Sequence, residues 1–130
     1  MSSNYLFLKI KKKGRFFDIE SNDNYLSMLF DIFDDGSWLE EGVKRELLNP
    51  SSRGITGNKT SIYIEGEKII ISPLFSPNPD EYAITIDRTK LLNLIDRWQE
   101  IMKLNPDEIL FKRIGTCIKI EPIFYEKLNK

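Results

Sequence analysis

The chain has 130 residues, 41% hydrophobic and 12% aromatic, with 19 Lys and Arg against 20 Asp and Glu, one Cys and no His. That length and apolar content suit one folded domain, 1–130, whose core needs no staple, and they exclude an extended disordered chain. The lack of histidine excludes imidazole triads and His-ligated zinc, and the lone Cys117 excludes an intramolecular disulfide and any multi-cysteine metal site.

The first element is a hairpin. With Lys13-Gly14 as a two-residue turn, Ile10 faces Phe17 and Leu8 faces Ile19 on an apolar side, while Lys9 meets Asp18 on the other. A helix over about 23–34 follows, burying Tyr25, Leu29 and Ile32 or Phe33 and ending at Gly36 as a C-terminal cap. Ser37-Trp38-Leu39-Glu40 then reads as a capping box that opens a second helix, with Leu39, Val43 and Leu47 on one face and Pro50 as its stop. Asn49 to Thr60, rich in Pro, Ser and Gly, reads as a mobile surface loop.

Gly66-Glu67 closes a second hairpin in which Ile64 faces Ile69, Ile62 faces Ile71 and Glu65 meets Lys68. Glycine at the first loop position suits a type II′ turn. After the stiff loop Ser76-Pro77-Asn78-Pro79-Asp80, residues Tyr82, Ile84 and Ile86 alternate with Ala83 and Thr85 as a strand. That strand feeds a helix over 88–104, where Leu91, Ile95, Trp98 and Met102 form an apolar stripe that should lie against the sheet. Asp87 can cap its start, and Asn105-Pro106 ends it. A third hairpin turning at Ile114-Gly115 sets Phe111 opposite Ile118 and Ile109 opposite Ile120, with Cys117 as a structural thiol in its second strand. The implied fold is α+β: an antiparallel or mixed sheet of about six or seven strands, with about three helices packed on it.

Two short motifs fail on spacing. Asp31-Ile32-Phe33-Asp34-Asp35-Gly36 has Phe33 and Gly42 where a calcium-binding EF-hand loop needs oxygen ligands. Gly57-Asn58-Lys59-Thr60 lacks the first glycine of a phosphate-binding loop at its required distance and runs from helix into strand. No catalytic, cofactor-binding or metal-binding residue is therefore assigned.

Charge is segregated. Asp18, Glu20, Asp23, Asp31, Asp34, Asp35, Glu40 and Glu41 occupy Phe16–Val43 without one basic residue. An aromatic, Trp38, stands among the last of them. An aromatic anchor ringed by carboxylates suits a basic partner, which makes Asp31, Asp34, Asp35, Trp38, Glu40 and Glu41 the candidate partner-binding residues. Lys9, Lys11, Lys12, Lys13 and Arg15, with Phe7, Phe16 and Phe17 nearby, could instead contact nucleic acid, although outward lysines on an edge hairpin also block strand-to-strand aggregation.

The order from Ser61 to Glu121 carries a resemblance. An Ile-rich hairpin, Tyr82-Ala83-Ile84-Thr85-Ile86-Asp87, a Leu/Trp helix, Asn105-Pro106-Asp107-Glu108-Ile109 and a final hairpin resemble small bacterial immunity proteins of contact-dependent growth-inhibition and polymorphic toxin systems. The resemblance implies a cytoplasmic, non-enzymatic protein that neutralises a cognate toxin domain, often a basic nuclease, by occluding its active site. It covers about half of the chain and assigns no residue. The leading expectation is such an immunity protein, with no cofactor and no membrane. The alternatives are a nucleic-acid-binding module using the 9–17 hairpin, and a small carboxylate-dependent enzyme with two acids converging in a pocket. No apolar run is long enough to span a bilayer, and Tyr5-Leu6-Phe7-Leu8 follows no charged leader, so a cytoplasmic location is expected.

Overall fold

A computed structural model describes residues 5–13, 16–34 and 36–126, apart from the side chains of Lys13, Phe16, Pro79 and Asp80. Its strands are β1 (Leu6–Lys13), β2 (Phe16–Ser21), β3 (Gly54–Thr56), β4 (Thr60–Glu65), β5 (Lys68–Pro73), β6 (Ile84–Asp87), β7 (Glu108–Ile114) and β8 (Cys117–Ile123). Helix α1 is Asn24–Phe33. A second helical run joins α2 (Gly36–Trp38), a π-helical segment (Leu39–Lys44) and α3 (Arg45–Leu48). A single turn, α4 (Pro79–Tyr82), and the long α5 (Arg88–Leu104) complete the set. Among the described residues, three main helices thus accompany eight strands, which form two four-stranded antiparallel sheets and not one sheet of six or seven. The chain forms two compact units, residues 1–26 with 97–130, and residues 27–96.

The first unit holds the sheet β2-β1-β7-β8. Leu8 and Ile10 lie opposite Phe111 and Ile109, and all four are buried. Trp98 of α5 sets its ring 5.7 Å from that of Phe111, and Arg97 Nε donates to the Ile120 carbonyl at 3.3 Å. Ile101 is fully buried alongside Trp98, and Met102 only half-buried, so the inner stripe of this end of the helix runs through 98 and 101.

Two of the three expected hairpin registers are displaced by two residues. In the first, Ile10 pairs with Ile19 and not Phe17, and Lys9 with Glu20 while Lys11 takes Asp18. Gly14, half of the expected turn, lies outside the described residues. In the third, Ile114 pairs with Cys117, so Phe111 faces Ile120 and Ile109 faces Pro122. Its loop is Gly115-Thr116, with Gly115 at φ +60, the sign that the first position of a II′ turn demands. A two-residue slip keeps every side chain on its face, so the hydrophobic pattern alone does not distinguish the two registers. Ile19, on the expected apolar side, is 48% exposed because β2 is an edge strand, and Cys117 is exposed in its strand.

At the end of β2, one carboxylate organises the unit. Asp23 accepts the backbone N–H groups of Tyr25 and Leu26, each at 3.3 Å, and so caps α1. The same carboxylate receives Arg113 Nε and Nη2 at 2.7 and 2.9 Å, and the guanidinium carbon lies 4.6 Å from the Tyr25 ring centre. Burial pushes the Asp23 carboxyl up, but Arg113 and the two backbone donors outweigh it and hold the group below its ordinary value.

The second unit holds the sheet β3-β4-β5-β6. Here the Gly66-Glu67 hairpin has the expected register, Ile64 with Ile69, Ile62 with Ile71 and Glu65 with Lys68, and Gly66 has φ +61. Its buried face carries two rows of isoleucine, Ile62–Ile71–Ile84 and Ile64–Ile69–Ile86. Leu39, Val43 and Leu47 of the second helical run are buried as their spacing predicts, as are Leu91 and Ile95 of α5. Asp87 caps α5 through the Lys90 N–H at 3.2 Å, and Asn105 ends it at φ +52, a conformation that asparagine tolerates. Arg88 ties three elements together. It donates to the Leu47 carbonyl at the end of α3 and to the Gly66 carbonyl at 2.8 Å, and pairs with Glu67 at 3.2 Å.

Three local expectations are corrected. Gly36 does not close α1 in a left-handed conformation but is the first residue of α2. Ser37 consequently sits inside the helical run and not before it, so no capping box opens there. The stretch 49–60 is not a plain loop, because Gly54–Thr56 pairs with β4 and Thr60 is buried. Among the described residues, no helix is long and apolar enough to cross a membrane.

Asp23→Asn should lower stability at pH 7 by about 2 kcal/mol, since it strips charge from a largely buried hydrogen-bonded pair. Because the folded pKa of Asp23 is depressed, its contribution is complete above the unfolded value and disappears as pH falls through the folded one. Urea titrations should therefore show the gap between wild type and Asp23→Asn closing below about pH 4.

Candidate functional site

Helix α1 is apolar almost all round. Leu26, Met28, Leu29, Phe30, Ile32 and Phe33 are buried, leaving Asn24, Ser27, Asp31 and Asp34 at spacings of three, four and three as its polar stripe. That stripe brings Asp31 and Asp34 one turn apart on a single face. They line a cavity of about 290 Å³ with Gly36, Trp38, Asn58 and Lys59.

Asn58 and Lys59 arrive from the connection between β3 and β4. Gly57 donates its N–H to the Thr60 carbonyl at 2.9 Å, which makes Asn58-Lys59 the two-residue tip joining β3 to β4. Lys59 Nζ bonds Asp34 Oδ2 at 2.9 Å. The pair is partly solvated, with Lys59 56% and Asp34 21% exposed, so it orients the site more than it stabilises the fold. Asp31 is half-buried; burial pushes its carboxyl above the ordinary value, Lys59 pulls it down and Asp34 pushes it further up.

Trp38 forms the third wall, and two glycines set its position. A Cβ on Gly57 would fall 2.6 Å from Trp38 Cζ2, and one on Gly42 would fall 2.9 Å from Trp38 Cδ1 and from Ile55 Cδ1. Gly42 lies in the π-helical segment that begins directly after Trp38, a local widening found often at functional sites.

The candidate residues therefore divide. Asp31, Asp34 and Trp38 come together; Glu40 and Glu41 are exposed on the π-helical segment and do not line the cavity; Asp35 lies outside the described residues. The acidic stretch as a whole is also divided, since Asp18, Glu20 and Asp23 belong to the first unit and the others to the second. Lys59 and Asn58 were not among the candidates, although Gly57 before an Asn-Lys pair and an alternating Thr-Ser-Ile-Tyr-Ile run is a hairpin signal. The basic cluster is largely engaged within its own unit: Lys9 lies 3.6 Å from Glu108, Lys11 stands over the Tyr125 ring and Lys12 bonds Asn105, while Arg15 lies outside the described residues. Searches against family models, curated proteins and solved structures found no match to this chain.

Gly57→Ala should force the Trp38 ring out of its slot, costing about 1–3 kcal/mol and shifting tryptophan emission. Asp31→Asn should act in the opposite sense. Its raised pKa means that the charged form is disfavoured by folding, a cost fully present above the folded pKa and absent below the unfolded one. Thermal melts should show Asp31→Asn more stable than wild type at pH 7, with the difference vanishing toward pH 3.

Proposed function

We propose that this chain is a non-enzymatic binding protein that holds a basic protein partner against its second unit, as an immunity protein occluding a toxin domain in the cytoplasm does. The observation that carries this reading is the division of charge. Residues 27–96 hold 12 Asp and Glu against 7 Lys and Arg, whereas 1–26 with 97–130 hold 8 against 12. A near-neutral chain whose net charge is negative in one compact unit, 12 acids against 7 bases, and positive in the other presents a net negative unit to a cationic surface. Within that unit, the exposed Glu40 and Glu41 and the cavity of Asp31, Asp34 and Trp38 supply the contacts. The resemblance of residues 61–121 to immunity proteins points the same way.

A small carboxylate-dependent enzyme draws on the same cavity, since two acids do converge there and Asp31 has a raised pKa. Against it, the Asp34 carboxylate is held by Lys59, which leaves Asp31 alone for acid–base work.

The partner to try first is a basic domain encoded beside this chain. Glu40→Lys/Glu41→Lys should weaken its binding by about 1.5–3 kcal/mol, mostly through slower association that wild type also shows at high salt. Folding stability should move by no more than about 0.5 kcal/mol, because both side chains are exposed. Calorimetry that finds affinity unchanged would place the interface elsewhere.

A further inference from the structure

We propose that the cavity is the seat for a single lysine or arginine side chain of the partner, with Phe75 packing on the apolar residues that flank that cation; this rests on the reading of the chain as a binder of basic proteins. Three observations carry it, beginning with size. At about 290 Å³ the cavity sits at the lower end of small-molecule sites, room for one side chain and not for a helix or strand.

The second is charge and wall chemistry. Asp31, Asp34 and Lys59 together leave one negative charge, and Lys59 is bonded to Asp34, so one incoming cation at Asp31 brings the site to neutrality. Lys59 donates a hydrogen bond to Asp34 and reaches Asp31 through its charge. Trp38, set in place by Gly42 and Gly57, adds an aromatic wall, and an aromatic beside a carboxylate is the pairing that ammonium and guanidinium groups favour.

The third observation lies outside the acidic residues. Leu74 donates its N–H to the carbonyl of Lys59, a cavity residue, at 2.9 Å, and Phe75 is the next residue along the chain. Phe75 is 85% exposed, more than any other large hydrophobic side chain among the described residues. An aromatic so exposed, one residue from the backbone bond to Lys59, is a ready anchor for a protein interface, which selects a side chain on a polypeptide over a free amine.

Three synthetic peptides test this without the natural partner: acetyl-Leu-Lys-Leu-amide, the same peptide with the lysine acetylated, and acetyl-Gly-Lys-Gly-amide. Binding is read from the Trp38 indole and Asn58 side-chain resonances in full-length protein. The Leu-Lys-Leu peptide should give saturable shifts and bind about tenfold more tightly than either of the others. Asp31→Asn should abolish the preference for lysine over acetyllysine, and Phe75→Ala should abolish the preference for Leu-Lys-Leu over Gly-Lys-Gly. Equal binding of the charged and acetylated peptides, no saturation by about 20 mM, or a Phe75→Ala protein that keeps its preference would each overturn the proposal. A partner still weakened by Glu40→Lys/Glu41→Lys after such a failure would leave the general reading intact, so the two fail separately.

Discussion

Two rows of isoleucine across the second sheet, Ile62–Ile71–Ile84 and Ile64–Ile69–Ile86, are the contact on which that unit depends. Their β-branched side chains are stiff and fit the pleat, and burial is worth about 1.5–3 kcal/mol for each. A one-residue slip in any of the three strands would turn a full set of isoleucines to solvent, so the register is tightly held. The rest of the unit hangs from that register. The Gly66 turn it positions offers Arg88 a carbonyl, Arg88 also secures the end of the second helical run, and β4 carries on one flank the tip that delivers Asn58 and Lys59.

Alternation also explains what could be read from the sequence and what could not. The period-two pattern assigned the correct face to Leu8, Ile10, Ile109 and Phe111, because only that assignment keeps apolar side chains together. It could not choose between registers two residues apart. With Gly66 first in its loop the pairing is right; with Gly115 second the pairing is displaced by two. The requirement of positive φ at the first position, not hydrophobicity, decides between them. Nor does alternation say which hairpin joins which, so eight strands in two sheets looked like one sheet of six or seven. β3, only three residues that begin with one glycine and run into another, is too short to show any period.

The candidate site was half legible for a related reason. Asp31, Asp34 and Trp38 are close in sequence, and the helical spacing of the first two placed them together. Lys59 is 25 residues from Asp34, and only the β3–β4 pairing brings it there. A local tally of charge therefore overstates the acidity of the stretch. Asp34 is matched by Lys59 and Asp23 by Arg113, both from far along the chain. The charge that remains unmatched is narrower and better placed than the run of eight carboxylates suggests.

The chain holds two tryptophans, and the fold puts one in each compact unit: Trp98 against Phe111 in the first, Trp38 between two glycines in the second. Each unit therefore carries its own optical reporter. Replacing either indole by phenylalanine leaves emission that follows a single unit, so whether the two melt as one cooperative body or in succession is written into the light the protein already gives off.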